Sequence, residues 1–407
     1  MSASPSNPFP TVDFHTFHRD VLPRLLRDGH GPLAAEAARR LGSLAFRLPG
    51  GDAYTYLPGD TDIEVLAGDD RADTVIEVEA EIFSNIVNEL DAAAGLLYGV
   101  RAKCARGKAM HWLDWEPALR AMFAGRPFYD AETIDLRDRR GARLDAEQTF
   151  SLSDDSLDMA HFLRTAGYLL VRGVFRGDEV KAFLDESAVL REEARKGDAL
   201  SWWGKDAGGV ETLCRVTRGA TQPKLASIPT DSRMAQLVDL ADERLSYQPP
   251  KGTGEGVSII WKNPSMTEGM SDIPWHRDCG MGGHGTQCPG LIASVYLTEA
   301  SPETGELMFL PGSWNRGAPP IDPNHPDAPR GAHFAARPGD VTLHYGDTMH
   351  AAPPPTHTTL ERYRISAVTA YKRKGAKPHR GRHYNEVLHG REDGQVESLA
   401  ELIEGDD

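Results

Sequence analysis

Five short apolar segments, GVSIIWK, LIASVYL, ELMFLPG, DVTLHYG and RISAVTAY, recur between residues 256 and 371, bounded by Gly, Pro or charged turn residues. Segments this short cannot bury themselves as helices. They find a core by pairing across two packed sheets, so the pattern predicts a sandwich or jelly roll. A chain of 407 residues has room for a second core besides. Its 40 glycines and 28 prolines supply the turns, and 40% hydrophobic residues place it outside the disordered class.

Residues 1–148 have a different texture and read as an α+β unit. A first helix places Phe14, Phe17, Val21 and Leu25 on one face, with Pro23 as a kink. A second has Pro32 in its first turn and Gly42 just past its end. Strand-like alternation follows in Leu44-Phe46-Leu48, Tyr54-Tyr56, Ile63-Val65 and Thr74-Ile76-Val78. Ile82, Phe83, Ile86, Val87 and Leu90 then recur at helical spacing. A closing helix is read as capped by Asp114, with Pro117 in its first turn and Gly125 at its end. The stretch Arg71 to Gly125 carries a resemblance to the sterol-carrier-protein fold, whose members enclose a tunnel for acyl or sterol-like molecules. The alternative is a plain packing or dimerisation unit, which would make the chain a homodimer.

From residue 149 onward the predicted order is a strand in GYLLVRGVF (167–175), a helix over 177–197, and a loop-rich segment over 198–256. That segment carries Trp202, Trp203, Arg215 and Arg218, together with a helix from about Met234 to Leu245. The two-domain expectation is therefore 1–148, α+β, and 149–407, a double-stranded β-helix (jelly roll) with flanking helices.

A net charge of −15 argues against a general nucleic-acid or anionic-membrane binder, since phosphate neutralisation needs clustered cations. Four cysteines (Cys104, Cys214, Cys279, Cys288) make no disulfide framework in so long a chain. The N-terminus lacks the pattern of a secretory signal, and no apolar run is long enough to cross a bilayer, so the cytoplasm is the expected address.

The chemistry concentrates in PWHRDCG, where His276 and Asp278 stand two residues apart. On an extended segment such residues point the same way and can share one ion. A second histidine has two candidates in GDVTLHYGDTMHAAPPPT. His350 follows a turn and opens a Pro-rich loop at a jelly-roll rim, whereas His344 lies inside the strand as a packing residue. Two histidines and one carboxylate with open positions form the facial triad of non-haem Fe(II) oxygenases. Arg362, 12 residues after His350, offers a guanidinium for an acidic cosubstrate, and Arg364 shares its face.

This order, with GYLLVRGVF, WKNP, WHRD, YLTEASPETGELMFLPGSW, GDVTLHYGDTMH and RYRIS, makes residues 149–390 resemble the phytanoyl-CoA dioxygenase family of Fe(II)/2-oxoglutarate oxygenases. The resemblance implies that His276, Asp278 and His350 ligate iron and that Arg362 pairs with the distal carboxylate of 2-oxoglutarate, the cosubstrate consumed with O2. Lys262 takes the family's Lys-x-Pro position near the cosubstrate, and Trp314 replaces the histidine of Pro-Gly-Ser-His in a cofactor-side position. The span from His350 to Arg362 is one residue long for the family, which keeps Arg364 as an alternative. Related halogenases lack the carboxylate, so Asp278 favours hydroxylation or desaturation.

Two rival readings share these residues. Cys279, His284 and Cys288 have donors for a zinc site, although no C-x-x-C pair is present. The other rival is a non-catalytic lipid-binding or carrier protein with a structural metal site. The run KRKGAKPHRGRH (372–383), with six Lys/Arg, reads either as a solvated strand end or as a dock for a coenzyme A- or carrier-linked substrate. The expected substrate is a small hydrophobic or carrier-linked molecule.

Overall fold

The computed structural model describes residues 9–373 except 199, 206–207, 250, 265–272, 280–289, 319, 323–324, 327, 354 and 357–362. His284, Cys288, Arg362 and the basic run beyond Arg373 thus lie outside the described residues.

The first helical stretch runs from Phe14 to His30 in alternating α and π turns and breaks at Gly29 (φ 110°) before the helix Gly31–Ala38. Pro23 lies where a π turn gives way to an α turn, and the helical stretch continues through it. Strands β1 (Leu44–Arg47), β2 (Ala53–Pro58), β3 (Ile63–Ala67), β4 (Thr74–Glu77) and β5 (Lys103–Arg106) form one sheet ordered β3-β2-β1-β4-β5. The β1–β4 pair is parallel and the others are antiparallel. Helices Ala80–Val87 and Ala93–Tyr98 lie between β4 and β5, and Ala109–Ala124 follows.

That last helix differs from the sequence expectation. It starts five residues before Asp114, so Asp114 is no cap and Pro117 lies in its interior. Trp112, Trp115, Leu119 and Met122 keep an unbroken buried face through the proline. Burying two indoles outweighs the roughly 3 kcal/mol that an interior proline costs. Gly125 ends the helix as expected, in the left-handed region (φ 65°).

Beyond the α+β unit the described strands are β6 (Phe150–Ser151), β7 (Tyr168–Arg172), β8 (Ser201–Lys205), β9 (Glu211–Val216), β10 (Leu245–Tyr247), β11 (Val257–Lys262) and β12 (Ile273–His276). They continue with β13 (Leu291–Tyr296), β14 (Met308–Phe309), β15 (Ala332–His333), β16 (Val341–Tyr345), β17 (His350–Ala352) and β18 (Arg364–Arg373). The large sheet is ordered β6-β7-β16-β13-β18-β11-β9-β8, with β10 also paired to β18. The small sheet is β12-β17-β14-β15. Tyr168 of the large sheet stacks on Phe309 of the small one at 4.7 Å, and both belong to one core with Val295, Val341 and Ala367. The five segments that opened the sequence reading are β11, β13, β14, β16 and β18.

The entry to this sandwich shows how local signals set it up. Asp155 accepts from the Leu157 N–H at 2.7 Å to cap the helix Ser156–Ala166, and Gly167 (φ 92°) turns the chain straight into β7. The 198–256 segment, read from sequence as loop-rich with one helix, also holds a hairpin. Trp202 and Trp203 lie in β8, hairpinned to β9 at the sheet edge, and Trp202 is buried with the Arg215 guanidinium 4.7 Å from its ring. The helix expected around Met234 is shorter, Ser232–Val238.

Candidate metal centre

Strands β12 and β17 run antiparallel with His276 directly opposite His350, which brings the imidazole centroids to 4.2 Å. His350 is therefore a strand residue, 5% exposed, and not the opening of a rim loop. Its position follows from the small sheet, where it also pairs with Phe309 of β14. The chain leaves β12 after His276, and Asp278 reaches the same spot from a bend. His276 Nε2 lies 3.7 Å from Asp278 Oδ1, and His350 Nε2 lies 3.7 Å from Oδ2. One donor atom from each of His276, Asp278 and His350 falls within 4.8 Å of the other two, and no other such group occurs among the described residues.

The surroundings prepare these donors for a cation. The His350 Nδ1–H donates to the Thr348 carbonyl at 3.0 Å, which leaves the Nε2 lone pair facing Asp278. Burial pushes the His350 imidazole down to about 4, against the pull of Asp278. Burial alone would raise the Asp278 carboxyl, but His350, the hydrogen bond from His344 and His276 hold it well below the usual carboxylate range. The donor set, two imidazoles and one carboxylate, suits Fe(II) with coordination positions left for other molecules.

His344 has a larger part than a packing residue. It is 2% exposed on β16, and its Nε2–H donates to Asp278 Oδ2 at 3.1 Å, while its Nδ1 has no hydrogen-bond partner. The sequence weighed it only as a competing ligand or a packing group.

A buried cationic lining adjoins the centre. Lys262 is 1% exposed on β11 and donates from Nζ to the Ala352 carbonyl, at the end of the strand that carries His350. Gly305 makes room for its stem: a Cβ there would come within 2.8 Å of Lys262 Cγ. Arg364 is the cross-strand partner of Lys262. It is 3% exposed, and its Nε and Nη1 have no hydrogen-bond partner. Burial lowers its pKa, countered by Tyr296 and Glu306 nearby. Trp314, expected on the cofactor side, spends its indole on packing: its N–H donates to the Arg164 carbonyl at 2.8 Å and its ring stacks on Tyr345 at 4.1 Å. Of the zinc alternative, Cys279 is buried beside the centre with its N–H donating to the Gly346 carbonyl at 2.9 Å.

Sequence reasoning missed what stands behind the ligands. Arg277, between His276 and Asp278, is buried and donates to Asp347 Oδ1 at 2.9 Å and to the Arg316 carbonyl at 2.8 Å. Asp347 lies three residues before His350 and also accepts from the Asn315 N–H at 2.7 Å. Its carboxyl would rise on burial, but Arg120 and Arg277 hold it below its ordinary value.

A two-sheet sandwich thus brings two imidazoles and a carboxylate together at the small sheet as a candidate site for one metal ion. Residues 163–359 match the family model described as phytanoyl-CoA dioxygenase (PhyH). The ectoine dioxygenase of Sphingopyxis alaskensis is 27% identical over 202 residues, which cover 47% of this chain and 59% of that protein. The chain thus spans about three fifths of that relative's length. Among solved structures, AviO1 from Streptomyces viridochromogenes matches with a TM-score of 0.43 and 21% identity, covering 56% of this chain and 98% of that one. EctD from S. alaskensis, with 2-oxoglutarate and 5-hydroxyectoine, matches with a TM-score of 0.44 and 19% identity, covering 62% and 89%. The match begins after the α+β unit, and no described helix is long and apolar enough to cross a membrane.

Proposed function

We propose that the protein is an Fe(II)- and 2-oxoglutarate-dependent oxygenase that hydroxylates or desaturates a small hydrophobic or carrier-linked molecule. The observation that carries this reading is the convergence of His276, Asp278 and His350 donors in one place. These three would hold the iron, which with 2-oxoglutarate and O2 supplies oxidation of an unactivated C–H bond and releases succinate and carbon dioxide.

The chain's own residues do the positioning. Thr348 fixes the His350 tautomer through its carbonyl, and His344 fixes the Asp278 carboxylate. Arg364 is a buried guanidinium with Nε and Nη1 free of partners, which suits it to receive the distal carboxylate of 2-oxoglutarate. This makes Arg364, and not Arg362, our choice for that role.

The substrate reading extends to the N-terminal unit, residues 1–148. Its sheet, crossover and closing helix support a sterol-carrier-like capture domain. The test is succinate release from 2-oxoglutarate, screened against hydrophobic and acyl-thioester candidates, with mass spectrometry for a gain of one oxygen or a loss of two hydrogens. Asp278→Ala should reduce turnover to background while leaving the fold intact. Substrate-stimulated succinate release that survives this change would reject the reading.

A further inference from the structure

The helix Ala109–Ala124 of the α+β unit does more than close its own core. Arg120, 6% exposed near its end, donates from Nη1 and Nη2 to both oxygens of Asp347 at 3.2 and 3.0 Å. Its Nη1 also reaches the Arg316 carbonyl at 2.8 Å, and its Nε holds Glu89 at 2.8 Å. Asp347 is the same carboxylate that Arg277 grips, and Arg277 is flanked on either side by the ligands His276 and Asp278. One buried carboxylate therefore ties a guanidinium from the α+β unit to a guanidinium inside the ligand segment. It stands in the turn that leads into His350.

The chain after that helix repeats the contact in apolar form. Tyr129 clusters with Trp275 and Met349, the residues immediately before His276 and His350. The backbone joins at the same point, with the Tyr129 N–H donating to Gly317 at 2.8 Å and the Gly317 N–H to Pro127 at 3.0 Å. Gly317 has to be glycine here, because a Cβ would meet the Pro117 Cα at 2.8 Å.

We infer that Arg120 is a positioning residue for the metal centre: through Asp347 and Arg277 the α+β unit fixes the backbone that aims His276, Asp278 and His350. The inference rests on the reading of those three as metal ligands. Charge balance makes it testable without dismantling the fold. If Arg120 is removed, Asp347 keeps Arg277 and Glu89 keeps Arg126, which binds it at 2.8 Å. What disappears is the charged link between the units, while the apolar and backbone contacts at Tyr129 and Gly317 stay.

The experiment is Co(II) titration of the full-length apoprotein, read by affinity and by the visible ligand-field spectrum. Arg120→Met should weaken Co(II) binding about 10-fold, the low end for residues that orient ligands from behind, and shift the spectrum. Arg120→Lys keeps the charge but loses the fork, and should restore part of both. Arg126→Met, which cuts only the pair with Glu89 inside the α+β unit, should change neither. Wild-type affinity and spectrum in both Arg120 variants would overturn the inference. Should Arg120→Met fail to fold, Arg120→Lys decides alone, a shifted spectrum supporting it and an unshifted one overturning it. Failure of the wild-type protein to bind Co(II), or binding unchanged in His276→Ala, would instead reject the ligand assignment itself.

Discussion

The α+β unit and the sandwich both bury histidines, but they treat the ring nitrogens in opposite ways. His18, 2% exposed, donates from Nδ1 to the Phe14 carbonyl at 2.6 Å and accepts at Nε2 from the Tyr56 hydroxyl at 2.7 Å. Its ring also stacks on Tyr54 at 4.0 Å. Among the described residues, the α+β unit has no buried side-chain nitrogen or oxygen without a partner. In the sandwich, Arg218 Nε is left without one, and so, beside the metal centre, are His344 Nδ1 and Arg364 Nε and Nη1. An orphaned buried polar atom costs about 1–3 kcal/mol, more when charged. A closed network such as that of His18 marks architecture. Open ones, clustered beside ligand-competent donors, mark where another molecule completes the structure.

The largest effect that could break this contrast is at Arg364. Arg364→Met should raise the concentration of 2-oxoglutarate needed for half-saturation about 100-fold, the equivalent of two charge-assisted hydrogen bonds at about 1.5 kcal/mol each. The same change should stabilise the cosubstrate-free protein, because a buried guanidinium with Nε and Nη1 unpartnered is replaced by an apolar stem. Calorimetry and 2-oxoglutarate titration on one variant check both signs. A variant that loses stability and keeps its affinity would make Arg364 a structural residue like His18.

A smaller effect belongs to His344. Its role is to steady Asp278, so His344→Phe should cost about 10-fold in Co(II) affinity with the fold retained. His344→Gln, which can still donate to the carboxylate, should recover most of it. If Phe and Gln behave alike, the hydrogen bond at 3.1 Å does not hold the ligand in place.

How far the sequence reaches follows the same division. His276 and Asp278 were legible because two ligands lie within three residues, and the five strands because turns punctuate them. The resemblance puts Arg362 first and the one-residue excess after His350 keeps Arg364 as an alternative, because sequence does not say where β18 begins; Arg362 itself lies outside the described residues. The β8–β9 hairpin was hidden because glycine and two adjacent tryptophans blur its alternation. The Arg120–Asp347–Arg277 link could not be read at all, since its first two members are 227 residues apart. Local spacing encodes elements and near neighbours. Long-range charge pairing becomes visible only once the chain is folded.

The smallest effect tests the closed network. Burial lowers the His18 pKa to about 4 from 6.5, against the hydrogen bond to Phe14 that favours the charged form. A histidine depressed in the folded state binds its proton more readily when unfolded. Its stabilising contribution is therefore complete above pH 6.5 and is lost as pH falls from there toward 4. Between pH 7 and 5.5 the loss is about 1 kcal/mol, a few degrees in the melting temperature of the α+β unit. His18→Gln can donate to Phe14 and accept from Tyr56 without titrating, so its melting temperature should fall less over that interval. The comparison of the two thermal profiles across pH, with an NMR titration of the His18 ring, is the check. An equal acid slope in both proteins, or a His18 that titrates near 6.5, would mean that this network is looser than its hydrogen bonds indicate. The contrast with the metal centre would then narrow to the orphaned atoms of His344 and Arg364.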